Sequence, residues 1–225
     1  MQILKNRVIK CIPIALLLFG VLTAGAQKAE FGLRFMPTFS SFDVRNASGG
    51  KIEGEVTLGF GFGALLGFNF SNHFGVQGEV IYSSLAQKYT ERELERRVEL
   101  KYVNIPLLLS LNTGKTNPVN FNIVAGPQLG IRVGSSLITS GDNGIDNPNA
   151  VLSAKKGDIG FAFGAGIDFG LNTARTIRLA MGYRGVRGLL DISDNSKTIT
   201  TDSYYLLDRS HVKTNAIYVG LSILF

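Results

Sequence analysis

From Leu58 to Phe70 the chain alternates without a break. Even positions read Leu58, Phe60, Phe62, Ala64, Leu66, Phe68 and Phe70, and the positions between them are Gly59, Gly61, Gly63, Leu65, Gly67 and Asn69. The pattern returns from Ile159 to Leu171. Ile159, Phe161, Phe163, Ala165, Ile167, Phe169 and Leu171 form one set, and Gly160, Ala162, Gly164, Gly166, Asp168 and Gly170 the other. Successive side chains of a strand point to opposite faces, so this period specifies β-strands with one apolar face and one small or polar face. An ordinary strand has about 5–6 residues, whereas a tilted strand crossing a bilayer needs about 9–11. Both runs are long enough to cross.

Eight such runs lie along the chain, at roughly 30–41, 56–70, 74–87, 98–112, 119–134, 157–171, 175–189 and 211–225. Their connectors alternate in length. Ser71-Asn72-His73, Thr113 to Pro118 and Asn172-Thr173-Ala174 are short and carry turn chemistry. Asp43 to Glu55, Lys88 to Arg97, Ser135 to Lys156 and Leu190 to Ser210 are long and polar. An even-numbered up-and-down meander can close on itself and leave no edge. Short turns on one side and long loops on the other are the pattern of outer-membrane barrels. A soluble barrel or sandwich would turn its apolar face inward and show Lys, Glu, Thr and Ser outside. Here the second face is mostly Gly, Ala and Asn with isolated charges, which suits a narrow interior. The 27 Gly and 15 Phe among 225 residues supply those two faces. The predicted fold class is therefore all-β, an eight-stranded antiparallel up-and-down transmembrane β-barrel. Eight strands leave a lumen that side chains can fill.

Ahead of the first strand, Lys5, Arg7 and Lys10 precede an apolar run from Ile12 to Thr23. Ala24, Gly25 and Ala26 then supply small residues. This predicts a secretory signal peptide over 1–26, cleaved between Ala26 and Gln27, and a barrel domain over 27–225. The run is short for a membrane-spanning helix, and no basic stop-transfer flank follows it. Cys11, the only cysteine, would leave with the signal, taking disulfides, a thiol nucleophile and Cys-ligated metal with it. Loss of the three cations halves the formal net charge of +6, which leaves no nucleic-acid footprint.

The last strand alternates as Ile217, Val219, Leu221, Ile223 and Phe225, ending on a terminal Phe. The spacing of Tyr218, Gly220, Ile223 and Phe225 looks like the C-terminal signal read by the barrel assembly machinery, an expected partner during biogenesis. Three further stretches carry a family resemblance: Tyr102-Val103-Asn104-Ile105-Pro106-Leu107-Leu108-Leu109, Ala125-Gly126-Pro127-Gln128-Leu129-Gly130, and Gly160-Phe161-Ala162-Phe163-Gly164-Ala165-Gly166. With them the chain beyond residue 26 resembles the bacterial outer membrane β-barrel domain family, of the porin-family or PorT-like kind common in Bacteroidota. The resemblance implies a barrel integral to the bacterial outer membrane, and no particular activity. PorT-like members suggest an accessory role in secretion. Pro106 and Pro127 fall inside strand runs and are expected at bulges or kinks.

The inward face, even-numbered in most strands, is predicted to place Arg34, Glu79, Arg132, Asp168, Arg178 and Arg184 in the lumen. Phe169 opposite Ile177 would put Asp168 opposite Arg178, where carboxylate and guanidinium pair. Glu79 is expected to bond across the lumen to an arginine, Arg34 by depth. Such a set can act as a polar plug or, with four Arg against two acids, as a selectivity ring for small anions. The plug is the leading reading, because a lumen of this size is usually full.

Chemistry elsewhere is sparse. His73 sits in a short turn and His211 at the start of the last strand. His211 with Asp208 or Asp191 is the one candidate for an enzymatic rim site, and the expectation is no enzyme, no metal and no cofactor. Asp142, Asn143, Asp146 and Asn147 form an oxygen-rich loop that misses the EF-hand spacing. Glu91, Arg92, Glu93, Glu95, Arg96, Arg97 and Glu99 form a mixed-charge cluster, a short helix or a continued hairpin. It would pair with itself or meet lipopolysaccharide phosphates through Arg92, Arg96 and Arg97. With no Trp, an interfacial girdle must draw on Tyr82, Tyr89, Tyr102, Tyr183 and Tyr218, of which Tyr102 and Tyr218 have the inward parity. The expected role is structural or surface-interacting, with a plugged lumen. The alternatives are a small pore for anionic or polar solutes and an accessory component of secretion. Expected partners are outer-membrane lipid, lipopolysaccharide and a protein or surface ligand at the outer loops.

Overall fold

The computed structural model describes residues 28–46, 48–52, 54–91, 94–140, 149–196 and 203–225. The predicted signal peptide with Ala24, Ala26 and Gln27, Arg92 and Glu93 of the charge cluster, and the 142–147 loop lie outside these residues. Twelve strands form among those described: β1 (Lys28–Ser41), β2 (Val44–Arg45), β3 (Lys51–Ile52), β4 (Glu55–Asn69), β5 (Phe74–Glu91), β6 (Leu94–Asn112), β7 (Val119–Ser140), β8 (Asn149–Val151), β9 (Gly157–Gly170), β10 (Ile177–Gly188), β11 (Ser203–Tyr205) and β12 (Lys213–Leu224). Eight of them close a barrel in the order β1-β12-β10-β9-β7-β6-β5-β4, every neighbouring pair antiparallel, with β4 returning to β1. Closure pairs the backbone N–H and C=O groups that lipid cannot satisfy. The all-β eight-stranded prediction holds.

The pleat sorts the side chains as the alternation implies. Leu33, Phe62, Leu66, Leu107, Phe121, Ile123 and Ile217 on the outer wall are each more than half exposed, an apolar band that only lipid can cover. The small and polar set faces the lumen. Glycine there makes room for large partners. A Cβ on Gly166 would lie 2.1 Å from the Tyr218 hydroxyl, and one on Gly182 2.7 Å from it. The Tyr218 ring thus crosses the lumen wall over two glycines.

Register differs from expectation in two places. Phe169 pairs with Leu179 and not with Ile177, so Asp168 stands opposite Ala180 and Arg178 opposite Gly170. The turn before β10 is longer than the three residues foreseen, because Leu171 closes it by donating to the Ile177 carbonyl at 2.8 Å. The prolines make no bulge. The β6–β7 register runs unshifted past both, with Pro106 opposite Gln128 and Leu109 opposite Ala125. Proline's φ fits an extended strand and removes one donor without adding a residue. The irregularities fall instead at Lys101/Tyr102 and between Val56 and Phe60.

Three strands outgrow the barrel. β5 and β6 stay paired up to Glu91↔Leu94, and β6 and β7 up to Glu95↔Ser140. On its other side β7 stops pairing with β9 at Ile131↔Gly157. The last nine residues of β7, roughly 30 Å of strand, therefore rise as a wall on the long-loop side. The described members of the charge cluster, Glu91, Glu95, Arg96, Arg97 and Glu99, lie on the continued β5–β6 pairing at the crest of this wall.

Candidate functional site

The lumen is filled in tiers. At the short-turn end Arg178, fully buried, donates through Nε to Asp168 Oδ1. Its Nη2 reaches the carbonyls of Asn117 at 3.1 Å and Asp168 at 3.2 Å. Asn120 Nδ2 donates to Asp168 Oδ2 at 2.7 Å. Lys115 enters from the Thr113–Pro118 turn, its Nζ 3.0 Å from Glu30 Oε2 and 3.8 Å from Asp168 Oδ2. The Asp168–Arg178 pair thus forms on the diagonal, the guanidinium reaching two residues along the lumen.

The middle tier is built on Glu79. Arg34 Nη1 donates to Oε1 at 2.5 Å, Arg184 Nη2 to Oε1 at 3.0 Å and Arg184 Nη1 to Oε2 at 3.3 Å. Gln77 Nε2 donates to Oε1 at 2.6 Å. The Arg34 guanidinium also lies 4.6 Å from the Tyr218 ring centroid, a cation–π contact. One carboxylate shared by two arginines leaves this tier with one net positive charge.

Above it lies a cavity of about 40 Å³, lined in part by Thr38, Ser83, Asn104, Gln128, Asp158 and Thr214. This is room for about two or three waters. Tyr102 Oη and Asp158 Oδ1 are buried there without a protein hydrogen-bond partner. The roof is apolar. Phe42, Val44, Leu85, Val98, Leu206 and Leu207, all nearly inaccessible, belong to one cluster drawn from the raised wall and the long loops. A β-bridge joins Val44 to Leu207, and β8 pairs with β11 beside it.

Five of the six predicted lumen charges lie in these tiers. Arg132 does not. Its parity is right, but it sits beyond the point where β9 begins, so its guanidinium turns to the loops. It donates to the carbonyls of Ala154 at 2.7 Å and Lys155 at 3.2 Å, and to Ser135 Oγ at 3.0 Å. Glu30, Lys115 and Asp158 join in its place. Among the described residues the lumen and its short-turn mouth then hold Arg34, Arg178, Arg184 and Lys115 against Glu30, Glu79, Asp158 and Asp168, an even balance. Glu30 and Asp158 were readable from the parity that exposed Arg34 and Asp168. Lys115 lies in a turn and carries no such signal.

The other candidates separate. Asp191 Oδ1 accepts from Ser193 N at 2.9 Å and Ser193 Oγ at 2.7 Å. Burial opposes its ionisation, but these bonds and the nearby Lys155 hold its carboxyl below the usual range. Asp208 pairs with Arg45 at 3.0 Å. Each candidate acid of His211 is thus engaged elsewhere. His73 Nδ1 lies 3.1 Å from the Asn112 carbonyl. In the wall, Lys88 pairs with Glu95 at 2.5 Å and Arg97 with Glu99 at 2.8 Å. Arg96 turns inward and donates to Tyr204 Oη at 2.5 Å. Tyr89, expected in the girdle, is buried in the roof with Tyr102, because β5 continues inward-facing into the raised wall. Tyr82 and Tyr183 remain on the outer wall. Phe225 is exposed, its N–H bonded to the Ala29 carbonyl at 2.9 Å. Tyr218 and Gly220 face the lumen, and Ile223 faces lipid.

A family model described as "Outer membrane protein beta-barrel domain" matches residues 25–194. No curated protein matches the chain. Among solved structures, the outer membrane protein OprG from Pseudomonas aeruginosa is similar at 15% identity and a TM-score of 0.51, over 89% of this chain and 98% of that one. Neisserial surface protein A aligns at 13% identity and 0.48, over 88% and 97%. Ail, the attachment invasion locus protein of Yersinia pestis, aligns at 14% and 0.42, over 88% and 99%. Identities this low speak to fold alone.

Proposed function

The chain belongs to the outer membrane protein β-barrel domain family, and from that premise we propose a closed, non-conducting barrel whose work is done at its outer face. It is an integral outer-membrane protein. The observation that carries the proposal is the stacking of two ion-pair tiers beneath an apolar roof. An ion would have to part Arg178 from Asp168, pass the Arg34–Glu79–Arg184 cluster and then cross the contact of Val44 with Leu207. Ions are poorly solvated in such a path. The even charge balance argues against an anion ring, which needs an excess of cations. What projects into the medium is the β5–β6–β7 wall and the loops packed against it, a rigid platform for a protein or surface ligand. The family model is general to outer-membrane barrels and does not single out the PorT-like kind.

The test is single-channel recording. The full chain, refolded into a planar bilayer with folding verified by heat-shifted gel mobility, should be silent. Steady conductance from the folded protein, reduced by Arg184→Ala, would overturn the closed-barrel reading in favour of a small pore.

A further inference from the structure

On the outer wall of β10 and β12, Arg187 stands directly opposite Lys213. Like charges in register repel. The same opposition occurs higher up at Lys88 and Arg97, and there Glu95 and Glu99 neutralise both. Arg187 is exposed and has no ion pair or side-chain hydrogen bond among the described residues. Lys213 has only Asp43 Oδ2 at 3.7 Å, with both side chains part-exposed.

The place of this pair matters. Arg187 is next to the last residue of β10, and Lys213 is the first of β12, both at the long-loop end. Below them the wall is apolar and aromatic. Phe161 is opposite Arg187 on β9. Gly185 leaves a depression into which the Phe163 ring folds, 2.5 Å from where a Cβ would stand. Phe163 and Tyr183 rings lie 6.4 Å apart, and Tyr183 Oη donates to Asn215 Oδ1 at 2.6 Å. Ile217 is 60% exposed beside them. One unpaired cation and one weakly paired cation thus cap an outward-facing aromatic surface at the long-loop end of the barrel.

We propose that Arg187 and Lys213 seat the phosphate of a phosphorylated glycolipid of the outer leaflet, with an acyl chain lying along Phe163, Tyr183 and Ile217. An anion between the two cations turns their repulsion into two charge-assisted contacts. Glycolipid is favoured over glycerophospholipid because the pair lies on the long-loop side, where the outer leaflet of such a membrane carries phosphorylated glucosamine lipid. The proposal rests on the outer-membrane location and not on the closed lumen, so a conducting barrel would leave it intact.

The experiment titrates the full chain, in zwitterionic micelles, with a bis-phosphorylated glucosamine lipid and reads lipid adducts by native mass spectrometry. Each cation near a lipid surface contributes about fivefold in affinity. Arg187→Gln and Lys213→Gln should each weaken binding about that much, and the double variant about 25-fold. Lys101→Gln, an exposed outward cation on β6, should change it less than about twofold. The dephosphorylated lipid should bind the wild type no better than the phosphorylated one binds the double variant. Unchanged affinity in the folded double variant, or equal binding of the dephosphorylated lipid, would overturn the seat. Equal binding of phosphatidylglycerol would overturn the glycolipid assignment. Wild-type binding must also weaken with added salt, which tests the charge contribution without any variant; salt-independent binding would overturn it as well.

Discussion

Replacing Glu79 by Gln removes the only carboxylate of the middle tier while keeping its shape. Three charge-assisted bonds lose their ionic partner, those from Arg34 at 2.5 Å and from Arg184 at 3.0 and 3.3 Å. Neither guanidinium can shed its proton. The Arg34 and Arg184 side chains are 8% and 3% exposed, so water does not reach them freely. Breaking a buried pair by removing one partner costs about 3–5 kcal/mol. A loss of about 3–5 kcal/mol is therefore expected, and the Tyr218 ring contact with Arg34, present in both proteins, does not offset it. Urea unfolding in lipid vesicles, followed by heat-shifted gel mobility, measures it. A second variant checks the cause. Glu79→Gln with Arg34→Met and Arg184→Met removes the stranded charges along with their partner and should recover most of the loss, since apolar replacement of a whole buried cluster is often neutral. A Glu79→Gln loss below about 1 kcal/mol, as for a surface pair, or no recovery in the triple variant, would refute the view that Glu79 holds the tier together.

Three other outcomes are expected. Gly166→Ala puts a methyl 2.1 Å from the Tyr218 hydroxyl, an overpacking that should cost about 1–3 kcal/mol in the same unfolding assay; Gly166→Ala with Tyr218→Phe should regain part of it. Leu207→Ala hollows the roof, where Leu207 is 1% exposed; a cost of about 2 kcal/mol or more should speed amide exchange at Arg45, bonded to the Leu206 carbonyl at 3.0 Å, about thirtyfold and leave the mid-barrel strands unchanged. Asp191 has a depressed folded pKa, so its contribution to the 191–193 turn is complete above the ordinary carboxylate value of about 3.9 and disappears as pH falls through the lower folded value. Exchange at the Ser193 amide should accelerate only in that acidic window, and Asp191→Asn should show fast exchange at neutral pH already.

Strand identity, barrel class and the face each residue occupies were legible in the sequence, because all three follow from the two-residue pleat, a local property. Parity alone placed Arg34, Glu79, Asp168, Arg178 and Arg184 inside the barrel, and the same rule would have found Glu30 and Asp158. Partnership was another matter. Which charges meet depends on how strands slide past one another and on depth across a closed lumen. A turn longer than foreseen moved Asp168 opposite Ala180, and only the length of the Arg178 side chain preserved the pair. Arg132 kept its parity but lay past the end of β9, so the loops took it. Lys115 reached the lumen from a turn, where alternation says nothing. The roof was hidden for the same reason. Phe42, Val44, Leu206 and Leu207 lie in stretches with no period, and only the folding of four distant segments onto the β5–β6–β7 wall makes them a core. The apolar wall and its small-residue lining came from nearest-neighbour chemistry, while the side-chain contacts that fill the lumen were decided between residues far apart in the chain.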